Sequence, residues 1–241
     1  MMLYIVGIGC GSAEGMTGEA TAAIEHSALV VGYTVYNELL RPIFPEKKFY
    51  ETGMRQEKER VIFALEQAAC GLDVSLVCSG DAGVYGMAGL AFELAEGYRD
   101  VRIKVIAGVT AALSGAALLG SPLTNDFAVI SLSDLLTPWE VIEKRLEGAA
   151  MGGFTIALYN PMSHKRTENL RKACEIILKY RSSGTPCGIA ANIGREGEAC
   201  RILTLGELKD TAADMFTTVF VGSPVTRVIN GRLVTPRGYR L

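Results

Sequence analysis

The run Val77-Cys78-Ser79-Gly80-Asp81-Ala82-Gly83-Val84-Tyr85-Gly86 constrains this chain more than any other stretch. The apolar segment 74–77 leads into it and reads as a buried strand. Residues 84–94 follow with the apolar spacing of a helix. A strand that ends in a glycine turn and feeds a helix is a corner of an open α/β sheet. Ligands bind at such corners, beyond the carboxyl ends of the strands. Gly80 and Gly83 let a ligand approach the backbone with no Cβ in the way. Asp81 sets a carboxylate at the same place, suited to ribose hydroxyls or an α-amino group. A plain helix N-cap in a tight turn explains the stretch equally well when it is taken alone.

The same corner recurs along the chain. Residues 3–8 form a strand pattern that runs into Gly7-Ile8-Gly9-Cys10-Gly11-Ser12. The glycines alternate as G-x-G-x-G, not as the G-x-G-x-x-G of dinucleotide folds. No acidic residue closes the next strand, Leu29-Val30-Val31-Gly32-Tyr33, so a nicotinamide oxidoreductase is disfavoured. A third corner, Ala107-Gly108-Val109-Thr110-Ala111-Ala112, follows the strand 103–106 and opens a helix of small residues, 110–118. Helices are expected at 17–27, 34–40 and 54–69. The charges Arg55, Glu57, Lys58, Glu59 and Arg60 on the last of these read as a solvated face.

The turn-rich cluster 120–125 breaks the pattern and is the best linker. Beyond it come a strand at 127–132 and a helix start in which Thr137 caps, Pro138 takes the first turn and Glu140 completes a capping box. Trp139 there either staples the helix to the core or floors a flat ligand. Further strands fall at 154–158, 187–191, 199–203 and 217–221, with a helix at 165–180 capped by Ser163. Asn230-Gly231 marks a hairpin. Strands and helices alternate in both halves, which predicts two α/β lobes, 1–122 and 123–241, with an interlobe cleft.

Composition narrows the function. The 241 residues are 49% hydrophobic with a formal net charge of −2, unlike a basic nucleic-acid binder or a disordered chain. No apolar run reaches the length of a membrane span. The start runs directly into a strand pattern with no basic flank or cleavage site, so a cytoplasmic location is expected. Six cysteines form no C-x-x-C pair and only two histidines are present, so no protein-bound metal is expected.

Taken as a set, the corners resemble the tetrapyrrole methylase family over essentially the whole length. Residues 7–12 look like the family's first loop, commonly G-x-G-P-G-D. Residues 79–85 look like its S/G-G-D-P loop, and residues 108–111 like its G-x-[ST]-[AS] turn. Cys10 and Ala82 stand where the family usually has proline. Within the family, Ser131-Leu132-Ser133-Asp134-Leu135-Leu136-Thr137-Pro138-Trp139-Glu140 points to one branch, together with Val31-Gly32-Tyr33, residues 83–88 and Leu158-Tyr159-Asn160-Pro161. That branch methylates C17 of precorrin-3B or cobalt-precorrin-3 and contracts the ring to the precorrin-4 level.

The resemblance implies S-adenosylmethionine as cofactor, S-adenosylhomocysteine as product, a tetrapyrrole substrate that in one route carries cobalt, and a homodimer. It assigns Cys10, Gly80, Asp81, Val84, Thr110, Ala111, Tyr159 and Asn192 to the cofactor, with Asp81 as its chief side-chain contact. The many carboxylates of such a substrate call for cations in or beside turns, and Arg41, Lys165, Arg166 and Arg195 qualify. Proton movement during contraction makes Asp134, Ser133, Tyr85 and His164 the acid–base candidates. The alternatives are a C20, C11 or uroporphyrinogen III methylase of the same family, a diphthine synthase, or a non-catalytic tetrapyrrole-binding module.

Overall fold

A computed structural model describes residues 1–163 and 166–239. The chain divides into two compact units, Met1–Ala111 and Ala112–Leu241. The turn-rich cluster after Leu119 is not where they part. Its first two residues instead form a short strand of the second unit.

The first unit contains β1 (Met2–Gly7), α1 (Gly18–His26), β2 (Leu29–Tyr33), α2 (Thr34–Leu40), β3 (Lys48–Thr52), α3 (Glu57–Ala69), β4 (Val74–Cys78), α4 (Ala88–Leu94) and β5 (Arg102–Ile106). All its strand pairings are parallel, in the order β3-β2-β4-β1-β5. Side chains alternate across the sheet, so each face needs its own cover. Leu3, Ile5, Val31 and Leu76 pack with α3 and α4 through Val61, Leu65, Ala88 and Ala91. Val6, Val30, Val77 and Ile106 pack with α1 and α2 through Ala20, Ile24 and Leu40. β4 is buried along its whole length because it has a strand on each side and helices on both faces.

Three expectations for this unit change. β3 lies in a stretch with no clear strand signal. It is an edge strand whose pattern is mostly exposed, so Lys48-Phe49-Tyr50-Glu51-Thr52 carries little apolar alternation. α4 begins at Ala88 rather than at residue 84, because the Asp81 side chain holds the amides of Gly83 and Val84 in a turn. Arg60 is not on a solvated face. It is 3% exposed, and its guanidinium donates to the Thr52 hydroxyl at 2.8 Å and the Gly53 carbonyl at 2.9 Å, lies near the Met87 sulfur, and faces the Tyr33 ring.

The second unit contains α5 (Ala111–Leu119, its first residue at the boundary), β6 (Gly120–Ser121), β7 (Phe127–Ser131), α6 (Trp139–Met151), β8 (Thr155–Tyr159), α7 (Asn169–Leu178), β9 (Pro186–Ala191), β10 (Ala199–Thr204), α8 (Leu205–Leu208), β11 (Thr217–Val221), β12 (Arg227–Ile229) and β13 (Arg232–Val234). Its main sheet runs β10-β9-β11-β8-β7 and is mixed: β7 and β8 are parallel, and the other pairings are antiparallel. β8 and β9 are both antiparallel to β11, so β7, β8 and β9 point the same way. One face packs on α6, α7 and α8 through Ile142, Leu146, Cys174, Ile177 and Leu205. The other receives α5, where small residues serve close packing. A Cβ at Gly115 would stand 3.0 Å from the Phe220 ring, and one at Gly188 would stand 2.5 Å from Leu119. β6, β12 and β13 form a small third sheet. The hairpin turn Asn230-Gly231 has φ of 49° and 72°, as the two-residue turn requires.

Two helix starts differ from expectation. α6 has Pro138 at its N-cap and no side-chain cap; Thr137 does not cap it. The capping box sits instead on α8, where Thr204 and Glu207 bond each other's backbone. α7 starts at Asn169, not at 165, and its N-cap Glu168 makes no side-chain cap bond. Trp139 packs against the core of this unit, with the Lys172 ammonium 5.5 Å from its ring centre.

All six cysteines are free thiols, and burial pushes the pKa of three of them up: Cys78 to about 11, Cys174 to about 12, and Cys187 in the same direction. The unfolded chain releases these protons near pH 9, whereas the folded chain keeps them. Stability is therefore full below that pH and falls as pH rises above it, by about 1 kcal/mol per thiol at pH 10. Urea unfolding at pH 8 and pH 10 measures the loss. A triple Cys→Ala variant that loses as much as the parent between those pH values would show that the thiols are not the cause.

Candidate functional site

In the first unit the turns after β1, β4 and β5 leave three adjacent strands on the same side of the sheet, at their carboxyl ends. The geometry there is tight. The Gly9 amide donates to the Gly80 carbonyl at 3.1 Å and the Gly80 amide to the Gly9 carbonyl at 2.6 Å, an isolated antiparallel bridge that ties together the turns beyond the parallel β1–β4 pair. A Cβ on Gly7 would stand 2.7 Å from the Gly108 amide nitrogen, and one on Gly108 would stand 2.1 Å from the Gly80 oxygen. The three corners are therefore one body, with backbone against backbone.

Asp81 ties that body together. Its Oδ1 accepts from the amides of Gly83 at 2.8 Å and Val84 at 3.1 Å, and its Oδ2 accepts from the amide of Gly108 at 2.9 Å. Three N–H groups thus converge on a carboxylate expected to face a ligand, and the second and third corners are joined through it. An amide cannot replace it, because one of its two ends must present N–H to N–H. Asp81→Asn is expected to lower stability by about 2 kcal/mol and to weaken S-adenosylhomocysteine binding about tenfold, read by urea unfolding and calorimetric titration. Unchanged stability with weakened binding would return Asp81 to the role of a pure ligand contact.

The other first-unit residues assigned to the cofactor line the same corners. Cys10 is half-buried, with its thiol 3.7 Å from the Val109 carbonyl. Thr110 and Ala111 are half-buried where the third corner enters α5. Ala82, in place of a proline, is fully buried, and its carbonyl accepts from the Ala88 amide, so it faces the protein. Tyr85 is 54% exposed with a left-handed φ of 54°, a conformation that favours glycine. Arg41 pairs with Glu51 at 3.1 Å and lies over the Phe49 ring, so its charge is partly spent within the fold.

In the second unit, turns follow the carboxyl ends of β7, β8 and β9. Tyr159, at the end of β8, accepts the Ala112 amide on its hydroxyl oxygen at 2.6 Å and so caps α5. Asn160 has φ of 52° and donates to the Ser131 hydroxyl at 2.9 Å. Asn192 is also left-handed, with φ of 50°; its amide donates to the Phe216 carbonyl and its side chain to the Gly197 carbonyl. Arg195 lies over the Phe216 ring, 5.2 Å from its centre. Arg166 donates to the Ser133 hydroxyl at 2.5 Å and the Ser163 hydroxyl at 3.1 Å, with Asp134 3.7 Å away. Ser133, Asp134 and Arg166 are therefore brought together, although acid–base work and substrate clamping were separate expectations for them. His164 and Lys165 lie outside the described residues.

Thr17, Gly108, Ser131 and Asn160 were given no site role from the sequence. Thr17 caps α1 and also donates to the Ala107 carbonyl at 3.2 Å, which holds the third corner. The pairing of Ser131 with Asn160 joins turns 29 residues apart, a link that only parallel β7 and β8 create. Among the described residues no group of three or more His, Cys, Asp or Glu side chains is placed to hold a metal ion. No helix among them is long and apolar enough to cross a membrane.

A donor set of backbone groups, glycines and small side chains, beside the Asp81 carboxylate, suits a hydroxyl-bearing ligand at the first-unit corners. Comparison with known proteins gives the family. Residues 2–209 match the model of the Tetrapyrrole (Corrin/Porphyrin) Methylases. The chain is 44% identical over 241 residues to a probable cobalt-factor III C(17)-methyltransferase of Salmonella typhimurium, covering 100% of both chains. It is 39% identical to a precorrin-3B C(17)-methyltransferase of Sinorhizobium sp, covering 98% of this chain and 96% of that one. It spans about half the length of two longer relatives that it also matches. The crystal structure of the methyltransferase CobJ superposes with a TM-score of 0.89 at 36% identity, covering 98% of this chain and 99% of that one.

Proposed function

The chain belongs to the tetrapyrrole methylases, and from that membership we propose that it transfers a methyl group from S-adenosylmethionine to C17 of a precorrin-3-level macrocycle, with contraction of the ring. The observation that carries this reading is the unbroken full-length match, at 44% identity, to a relative named for that reaction. That relative is named for a cobalt-factor, and the less similar Sinorhizobium relative for a cobalt-free precursor. We take the cobalt-bearing macrocycle as the substrate, so cobalt belongs to the substrate and not to the protein.

The bound cofactor supplies a methyl group on a positively charged sulfur, ready for in-line displacement. The protein's own task is then positioning. Holding two partners in near-attack geometry lowers a barrier by about 7–11 kcal/mol. The corner body of the first unit suits that task, because Asp81, Gly9, Gly80 and Gly108 fix its backbone before any ligand arrives. Cys10, Gly80, Val84, Thr110 and Ala111 present backbone and small side chains to the cofactor, and Asp81 orders them. Tyr159 and Asn192 are also proposed as cofactor contacts. Arg41, Arg195 and Lys165 are proposed to meet substrate carboxylates. Asp134, Tyr85 and His164 are proposed to move protons during contraction.

The assay is incubation of the protein with labelled S-adenosylmethionine and cobalt-factor III or precorrin-3B, with products identified by mass and absorption spectra. Label incorporated into a ring-contracted product supports the reading. Label at another ring carbon, or none, overturns it. The six free thiols suit a reducing compartment, which supports a cytoplasmic location. A homodimer is part of the proposal, and light scattering behind size exclusion decides it.

A further inference from the structure

Arg166 is held in place before it reaches any partner. Ser163 and Arg166 exchange two backbone hydrogen bonds, at 3.2 and 3.0 Å. The guanidinium Nε then donates to the Ser163 hydroxyl, and Nη1 crosses to the Ser133 hydroxyl. The side chain is only 20% exposed. Ser133 is fixed from its own side as well. Its amide donates to the Ser131 hydroxyl at 3.2 Å, and the preceding residue, Leu132, is bonded on both sides: its amide donates to the Tyr159 carbonyl and its carbonyl accepts from Asn169.

The polarity of the Arg166–Ser133 bond is not a choice. A guanidinium has donors and no acceptor, so the Ser133 oxygen must accept. Its own proton then points away from Arg166, so the hydroxyl keeps a donor to offer. A serine beside a fixed cation is a poor base, since the cation opposes its taking up a proton. It is an improved donor, since the cation draws charge from its oxygen. The two expectations for this pair therefore change together.

We infer that Ser133 is a hydrogen-bond donor to a rim oxygen, carboxylate or carbonyl, of the bound macrocycle, and that Arg166 is a positioning residue acting through Ser133 rather than a direct clamp on a substrate carboxylate. The inference rests on the tetrapyrrole-binding part of the proposed function and says what the Ser133 turn does within it.

Binding of uroporphyrin III, a flat macrocycle rimmed with carboxylates, tests it without needing turnover. Fluorescence titration compares the parent protein with Ser133→Ala, Arg166→Ala, the double variant and Arg166→Lys, with thermal melts confirming that each is folded. Each alanine variant is expected to bind about tenfold more weakly. The double variant is expected to lose about tenfold too, not about a hundredfold, because the second change removes a group whose only route is already cut. Arg166→Lys, which still offers one donor to Ser133, is expected to recover most of the loss. Additive losses would make Arg166 an independent clamp and overturn the inference. So would unaltered binding by Ser133→Ala, or no uroporphyrin binding by the folded parent. If the parent binds uroporphyrin with the coupled pattern but methylates nothing at C17, the reaction assignment falls while this inference stands.

Discussion

Gly108→Ala is expected to remove S-adenosylhomocysteine binding and to destabilise the protein by about 3 kcal/mol, on the scale of a severe overpacking change. The reason is steric and local. The added Cβ would lie 2.1 Å from the Gly80 carbonyl oxygen and 2.6 Å from the carbonyl of Gly7. Both obstacles are backbone, so no side chain can swing aside. Relief requires the β5 corner to withdraw from the other two. That breaks the Gly108 amide bond to Asp81 and opens the corner body that the cofactor is proposed to use. Calorimetric titration and urea unfolding measure the two effects. A Gly108→Ala protein that bound S-adenosylhomocysteine like the parent would show that the corners need not be in contact to hold it.

Arg181→Met is expected to cost about 3–5 kcal/mol, with little effect on chemistry in the protein that remains folded. Arg181 is 7% exposed and no carboxylate pairs with it among the described residues. Its guanidinium reaches three backbone carbonyls: Gly222 after β11, Phe154 before β8 at 2.5 Å, and Ala149 near the end of α6 at 3.4 Å. Burial lowers its pKa, and its Nε lacks a partner, so the residue carries a desolvation cost of its own. Replacing a buried ion pair by apolar groups is often harmless when both partners go. Here the partners are carbonyls that no substitution removes: the Ala149 carbonyl keeps the Phe154 amide, but those of Gly222 and Phe154 lose the guanidinium. The orphaned acceptors decide the sign. Chemical unfolding reads the loss, and a change below about 1 kcal/mol would mean that water enters and satisfies them.

Much of this architecture is legible in the sequence because it rests on local chemistry. Strand, glycine, helix is a pattern that neighbouring residues impose on one another, so the corners at Gly9, Gly80 and Gly108 could be placed without a structure. The hairpin at Asn230-Gly231 was legible for the same reason. What escaped depends on partners far along the chain. Arg60 sits among charged neighbours on α3, and nothing local reveals that the Thr52 hydroxyl, the Gly53 carbonyl and Met87 enclose it. The bond from Gly108 to the second oxygen of Asp81 was hidden because it needs the parallel pairing of β1 with both β4 and β5. Ser133 and Arg166 were separate candidates because 33 residues divide them; adjacent parallel strands unite them.

The strand order of the first unit also bears on how the chain acquires its shape during synthesis. β1 and β2 follow one another but never pair; β4 lies between them. As the polypeptide is made from its amino end, β1 has no neighbour until Val74–Cys78 has emerged, and its other neighbour comes only with Arg102–Ile106. Until then an apolar segment with unpaired backbone groups is exposed to other nascent chains, the condition under which sticky intermediates gather. Fragments ending before β4 are thus committed to aggregation or to a chaperone, while a ribosome that has passed β5 releases a segment able to close its first sheet.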